Sequence, residues 1–312
     1  MTRCFADTLA ARVAERESQI VLGLDPDANA LWPVAEPAAS SREGSGERAA
    51  RAVLAHCRAV IDATAEACVA VKPQLARFEL LGAPGWAALE AVVEHAQRQG
   101  LLVIADGKRG DIDVSARAYA GALLGGAETP YGRLTGLGAD LVTVNPLMGV
   151  DALEPFVQAA RETGAGVLVL VRTSNPGASD VEDLALAGGG MVWERLAEIV
   201  ERLGAGGVGE SGLSDVGAVV GATAPEHLRR ARELMGRAPF LLPGVGAQGG
   251  RVEQLAAAFA PGRAGGLISA SRSLVDAYRT SGGEPASSAR AEAERLRETA
   301  WSLSAELAGG VR

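Results

Sequence analysis

The sequence predicts an α/β protein, a single (β/α)8 barrel with extra helices at its N- and C-termini, and three observations lead there. Eight short runs rich in Val, Ile and Leu recur along the chain, each read as a strand. Longer Ala-, Glu- and Arg-rich stretches with helical spacing lie between most of them, which is the mark of βα units. No linker divides the 312 residues into two core-sized halves. Eight strands alternating with helices favour a closed parallel barrel, whose active site lies at the carboxyl ends of the strands. A doubly wound open sheet is the alternative architecture.

In chain order, the N-terminus (Met1, Arg3, Cys4, Asp7, Arg12, Glu15) carries charges spread through an amphipathic helical pattern. The predicted strands are Gln19–Asp25, Cys68–Lys72, Leu101–Asp106, Leu141–Val144, Val167–Val171, Val216–Val220, Phe240–Leu242 and Leu267–Ser269. The predicted helices are Glu47–Ala67, Gly85–Arg98, Asp151–Thr163, Met191–Leu203, Pro225–Met235 and Val252–Ala260, with a last one, Ala289–Leu307, packed outside the barrel. Ala35–Gly46 and Ser281–Ser288 have linker composition. One domain over 1–312 follows, with its barrel core at about 19–275.

Charge narrows the function. Thirty Lys and Arg stand against 38 Asp and Glu, a net charge of −8, with no long basic run. A nucleic-acid surface needs clustered cations, so nucleic acid and anionic membranes are not expected partners. No stretch approaches the ~18 uninterrupted apolar residues of a membrane span. Three scattered cysteines, Cys4, Cys57 and Cys68, suit neither a disulfide framework nor a metal knuckle. A reduced, cytoplasmic compartment is the expectation.

The densest candidate site is Asp106-Gly107-Lys108-Arg109-Gly110-Asp111-Ile112, directly after an apolar strand. Side chains alternate along a strand, so Asp106 and Lys108 point to one side, into the barrel mouth. Gly110 is read as the turn that presents Asp111. Asp25, in Gly23-Leu24-Asp25-Pro26-Asp27, and Lys72, in Val71-Lys72-Pro73-Gln74, stand at the ends of two further strands. Charges that converge in this way are costly unless paired and used. Either Asp25 or Asp27 can instead cap the segment that follows.

A second group comes late. Pro243-Gly244-Val245-Gly246-Ala247-Gln248-Gly249-Gly250 follows strand seven, and Ser269-Ala270-Ser271-Arg272-Ser273 follows strand eight. In such barrels those two loops bind phosphate, glycines letting the backbone approach and Arg272 supplying a forked cation. The loop also matches G-x-G-x-x-G, but it follows the seventh strand and no acidic residue stands about 20 positions on, so a dinucleotide site is not expected. Thr173-Ser174-Asn175-Pro176-Gly177 after strand five can read the edge of a heterocycle or simply cap a turn. The segment Thr143-Val144-Asn145-Pro146 after strand four is similarly open. His56, His95 and His227 fall in helices without metal-binding spacing, and no G-x-S-x-G elbow supports acyl transfer.

Taken together, these motifs resemble the orotidine 5′-phosphate decarboxylase family, its longer bacterial subgroup in particular, from about residue 20 to about residue 275 and in the right order. The Asp-x-Lys-x-x-Asp element is the most specific of them. The resemblance implies a homodimeric barrel that converts orotidine 5′-monophosphate to uridine 5′-monophosphate and carbon dioxide without metal or organic cofactor. By that resemblance Lys108 is the general acid that protonates C6 of the pyrimidine, flanked by Asp106 and by an Asp111 that reaches across from the partner subunit. Asp25 and Lys72 would hold the ribose hydroxyls, and Ser115 would stand near the ribose of the partner's ligand. Ser174 would contact the pyrimidine edge, and Gln248, Arg272 and Gly246 would hold the phosphate. Two features depart from the family pattern: Arg77 stands where an aromatic is expected, and the Ala35–Gly46 insertion is long. Magnesium-dependent lyases of the same superfamily share Asp-x-Lys-x-x-Asp, but they need a further acidic ligand that is not obvious beside Asp25 and Asp106. A non-catalytic nucleotide binder would be signalled by loss of Lys108 or Asp111, and both are present.

Overall fold

The computed structural model describes residues 4–35, 44–246 and 248–309. Ten strands form: β1 (Ile20–Leu24), β2 (Ala70–Pro73), β3 (Leu102–Arg109), β4 (Ala127–Thr129), β5 (Gly132–Leu134), β6 (Leu141–Val144), β7 (Gly166–Arg172), β8 (Val216–Val220), β9 (Phe240–Pro243) and β10 (Gly266–Ala270). Eight of them close a parallel barrel in the order β1-β10-β9-β8-β7-β6-β3-β2, while β4 and β5 pair as a separate antiparallel hairpin. Each of the eight predicted strands is present in the barrel. The open-sheet alternative is excluded by the pairing of β1 with β10.

Strand alternation divides the interior into two layers. Val21, Ile104, Leu141, Leu168, Leu241 and Leu267 pack into one buried cluster inside the barrel, which the Phe5–Arg16 helix joins through Phe5, Leu9 and Val13. Their neighbours Leu22, Val103, Val142, Val169, Leu242 and Ile268 face outward into a second, larger cluster beneath the helices. The period of two then carries inward-facing side chains beyond the apolar layer: Ala70 leads to Lys72, Ile104 to Asp106 and Lys108, Leu141 to Thr143, and Leu267 to Ser269. The polar mouth of the barrel is thus a continuation of its apolar floor.

The structure departs from the sequence reading at several elements. The segment read as a helix at Val252–Ala260 is instead two 3₁₀ turns, Val252–Gln254 and Ala256–Phe259. Val252, Leu255 and Ala258 are buried at a spacing of three, the 3₁₀ period, and Phe259 is buried beside them. The hairpin β4–β5, three residues a strand, and the Asp113–Ala120 helix are additional to the sequence reading. Strand β3 runs to Arg109, so Lys108 lies within it, in a stretch where the pairing with β6 shifts register between Ala105 and Arg109. The last helix spans Pro285–Gly309 and ties to β1's approach through Gln19 Nε2, which donates to Ser304 Oγ at 2.8 Å. Of the Ala35–Gly46 insertion, residues 36–43 lie outside the described residues, as do Met1 and Arg3. No helix among the described residues is long and apolar enough to cross a membrane.

Candidate active site

A cavity of about 950 Å³ opens at the carboxyl ends of the barrel strands and is lined by Asp25, Lys72, Asp106, Lys108, Ser174, Gln248 and Arg272, among others. At its base a chain of alternating charge is assembled from two strands. Lys72 Nζ lies 2.6 Å from Asp106 Oδ2, and Lys108 Nζ lies 2.7 Å from Asp106 Oδ1. Gln74 Nε2 donates to Oδ2 at 3.4 Å, and the Thr143 hydroxyl donates to Oδ1 at 2.9 Å. Burial opposes the charge on Asp106, but the two ammonium groups outweigh it and hold the carboxyl down at about 2. Burial likewise disfavours the Lys72 cation, yet Asp106 and then Asp25 raise it above the ordinary lysine value. Lys72 and Asp106 stay ionised because each charge faces its opposite.

Lys108 is presented by an unusual backbone. Its φ is +47°, in the left-handed region, where side chains other than glycine are strained. The bulge in β3 and this φ together direct the ammonium back onto Asp106. Gly110, read from sequence as the turn, has no positive φ. What it permits is close approach: a Cβ there would lie 3.1 Å from the Asn145 carbonyl oxygen. The Asn145 N–H in turn donates to the Arg109 carbonyl at 2.8 Å, fixing the strand end against β6.

The loop after β7 is held by acidic residues that sequence reading passed over. Glu182 accepts from the Thr173 N–H and from its hydroxyl, both at 2.9 Å, while Arg172 forks onto Asp183 at 2.9 Å on each arm. Ser174 follows directly, and Gly221 makes room for it: a Cβ on Gly221 would meet Ser174 Cα at 2.9 Å. Across the mouth, Arg77 reaches Asp27 at 3.8 Å, and both line the cavity. Asp27 also accepts the Asn29 N–H at 2.9 Å, which makes it the cap of its own turn.

His56, one of the three histidines read as packing residues, also lines the cavity. Its Nδ1 accepts the Trp32 N–H at 3.0 Å and its ring meets Trp32 edge-on at 5.6 Å between centroids. Burial holds it down at about 4, against the opposing pull of Asp276.

Three of the expected site residues stand apart from the cavity lining. Asp111 is half-buried and accepts the Ile112 N–H at 2.8 Å, and Ser115 is exposed on the Asp113–Ala120 helix. Gly246 donates its N–H to the Gly250 carbonyl at 2.9 Å within the glycine-rich turn after β9. Sequence reasoning passed over Glu182 and Asp183, and it named Thr143 and Gln74 only within motifs, with no role assigned to either. Alternation from Leu141 places Thr143 inward and could have found it, whereas the Glu182 clamp depends on a loop path that spacing does not encode.

The fold and the site define a (β/α)8 barrel with an ammonium–carboxylate–ammonium chain at one side of its mouth and a glycine-rich loop with Arg272 at the other. Comparison with known proteins narrows that class. Residues 18–281 match the model of the orotidine 5′-phosphate decarboxylase / HUMPS family. Orotidine 5′-phosphate decarboxylase of Deinococcus radiodurans is 42% identical over 275 residues, covering 88% of this chain and 90% of its own, and that of Rhodopirellula baltica is 40% identical over 279 residues, covering 88% and 89%. Among solved structures, a putative orotidine 5′-phosphate decarboxylase from Streptomyces avermitilis superposes with a TM-score of 0.79 at 31% identity, with 98% of each chain covered. The chain belongs to the orotidine 5′-phosphate decarboxylase family.

Proposed function

We propose that this protein is a carboxy-lyase that decarboxylates orotidine 5′-monophosphate to uridine 5′-monophosphate, a step of pyrimidine biosynthesis, without metal or organic cofactor. The observation that carries this reading is Asp106 held ionised between Lys72 and Lys108 at the base of the cavity. Loss of carbon dioxide leaves an electron pair on C6, a ring carbon with no electron sink, so the site must favour that anion over the starting carboxylate. Lys108 supplies a fixed cation at the carbon and then the proton that quenches it. Asp106 facing the substrate carboxylate would repel it by about 4 kcal/mol at 4 Å and an effective dielectric near 20. That is a minor share of the barrier reduction enzymes supply.

Asp25 and Lys72 bind the ribose hydroxyls in this reading, Ser174 contacts the pyrimidine edge, and Gln248, Arg272 and Gly246 hold the phosphate. Binding the non-reacting phosphate positions the ring and helps keep the loop closed. Asp111 and Ser115 act in the active site of a second copy within a homodimer. That assignment is supported by their exclusion from their own cavity lining and by the exposed apolar Ile112 and Val114 beside them, 54% and 67% accessible. The whole chain works as one barrel domain in the cytoplasm.

The test is to dialyse the protein against a chelator, add orotidine 5′-monophosphate and follow ultraviolet absorbance. Loss of the orotate chromophore at an undiminished rate is expected. Turnover that depends on restored magnesium would contradict the reading.

A further inference from the structure

We propose that Thr143 is a positioning residue for the decarboxylation, its hydroxyl locking the backbone of Lys108 to the carboxylate of Asp106. The inference rests on the reading of Lys108 as the acid and goes beyond it, since Thr143 belongs to neither the charge chain nor the phosphate loop.

Three observations carry it. Thr143 is 1% exposed and projects inward from β6, between Val142 and Val144, which face the outer core. Its Oγ1 accepts the Lys108 N–H at 3.0 Å and donates to Asp106 Oδ1 at 2.9 Å, the oxygen that also receives Lys108 Nζ. A hydroxyl has one proton to give and lone pairs to receive with, so both bonds can be made at once. And the N–H it receives belongs to a residue at φ +47°, a conformation that persists only where its surroundings impose it.

The hydroxyl therefore closes a small ring: Lys108 backbone, Thr143 Oγ1, Asp106 Oδ1, Lys108 Nζ. Without it the Lys108 N–H loses this buried side-chain acceptor. The left-handed backbone can then relax, carrying the ammonium away from C6. A displacement near 1 Å at a reacting group costs up to about 100-fold in rate. Thr143 lines the cavity at its base, but the ribose, pyrimidine and phosphate contacts proposed above fall to other residues, so substrate binding should be little affected.

The experiment compares Thr143→Val, which keeps the shape and removes the hydroxyl, with Thr143→Ser, which keeps the hydroxyl and removes a methyl. Steady-state decarboxylation and uridine 5′-monophosphate affinity are measured on the full chain, with Lys108→Ala alongside. Thr143→Val should lower kcat by about 10- to 100-fold with product affinity within about 3-fold of the parent, and Thr143→Ser should restore kcat to within about 3-fold. If Thr143→Val fails to fold by circular dichroism, Thr143→Ala removes the same hydroxyl and is judged on the same thresholds. The proposal is overturned if the hydroxyl-free variant keeps kcat within about 3-fold, if Thr143→Ser is as slow as that variant, or if affinity falls in proportion to kcat. Turnover by Lys108→Ala would overturn the acid assignment itself, and this inference with it.

Discussion

Lys108 concentrates the cost and the use of this site. A left-handed backbone at a residue with a long side chain costs about 1–2 kcal/mol, and the protein sustains it with the Thr143 hydroxyl and the Arg109–Asn145 backbone bond. What the strain secures is an ammonium 2.7 Å from a carboxylate that stays ionised down to about pH 2. At the residue scale much was legible in advance, because Asp25, Lys72, Asp106 and Lys108 all fall at strand ends where an inward charge must find a partner. The bulge was not legible: the residue that takes the positive φ is Lys108, while the neighbouring Gly107 and Gly110 do not. Composition pointed at the glycines, and packing decided otherwise. A prediction of the same scale concerns Arg272. In the proposed phosphate site Arg272→Ala would remove a charged hydrogen bond worth about 1.5–3 kcal/mol, so KM for the phosphorylated substrate should rise by about 10- to 100-fold while turnover of the unphosphorylated nucleoside is unchanged. An unaltered KM in steady-state assays would remove Arg272 from the phosphate site.

At the scale of elements, the Ser45–Thr64 helix shows how a wall of the site is fastened. It presents His56 to the Trp32 N–H, and the Trp32 indole N–H donates to the Val275 carbonyl at 2.9 Å, just beyond Arg272. His56 is held near 4 by burial and titrates at about 6.5 when unfolded. Between those values the unfolded chain binds the extra proton, so stability rises with pH across the window and is lost as pH falls from 6.5 towards 4. The loss should approach about 3 kcal/mol at the acid end. Denaturant unfolding at a series of pH values should therefore flatten in this window for His56→Gln, whose amide oxygen can still accept the Trp32 N–H. An unchanged slope would mean that His56 is protonated in the folded chain. The Asp106 carboxyl, held below its ordinary 3.8, loses its contribution lower, as pH falls from about 4 towards 2. Most elements were legible from periodicity, since both the strands and the long helices repeat it over enough residues. The segment at 252–260 was not, because apolar residues at 252, 255, 258 and 259 fit successive 3₁₀ turns as well as a short helix. The β4–β5 hairpin carries only three residues a strand, too few for alternation to register.

The whole molecule joins an apolar barrel floor to a polar mouth through one period-two pattern, and that pattern is why the site could be located from the strands alone. Parallel closure brings β1, β2 and β3 together on one side and β9 and β10 on the other, adjoining across the β1–β10 seam. The charge chain and the glycine-rich loop with Arg272 are thus held on neighbouring walls of one cavity. What a single chain could not reveal is the completion of the site. Asp111 and Ser115 are not among the residues that line their own cavity, and Ile112 and Val114 beside them are exposed; the role proposed for the pair lies in the site of a second copy.

The most direct test of the account is to co-express Lys108→Ala and Asp111→Ala chains under different tags, purify the mixed pair, and compare its turnover of orotidine 5′-monophosphate with that of each variant alone. Each variant by itself should fall by at least about 10⁴-fold, the scale of lost proton transfer and charge stabilisation together. The mixed pair should recover activity, because one of its two sites then has both an intact Lys108 and an intact Asp111 from the other chain. Turnover by Lys108→Ala alone, or a mixed pair no more active than its parents, would contradict it.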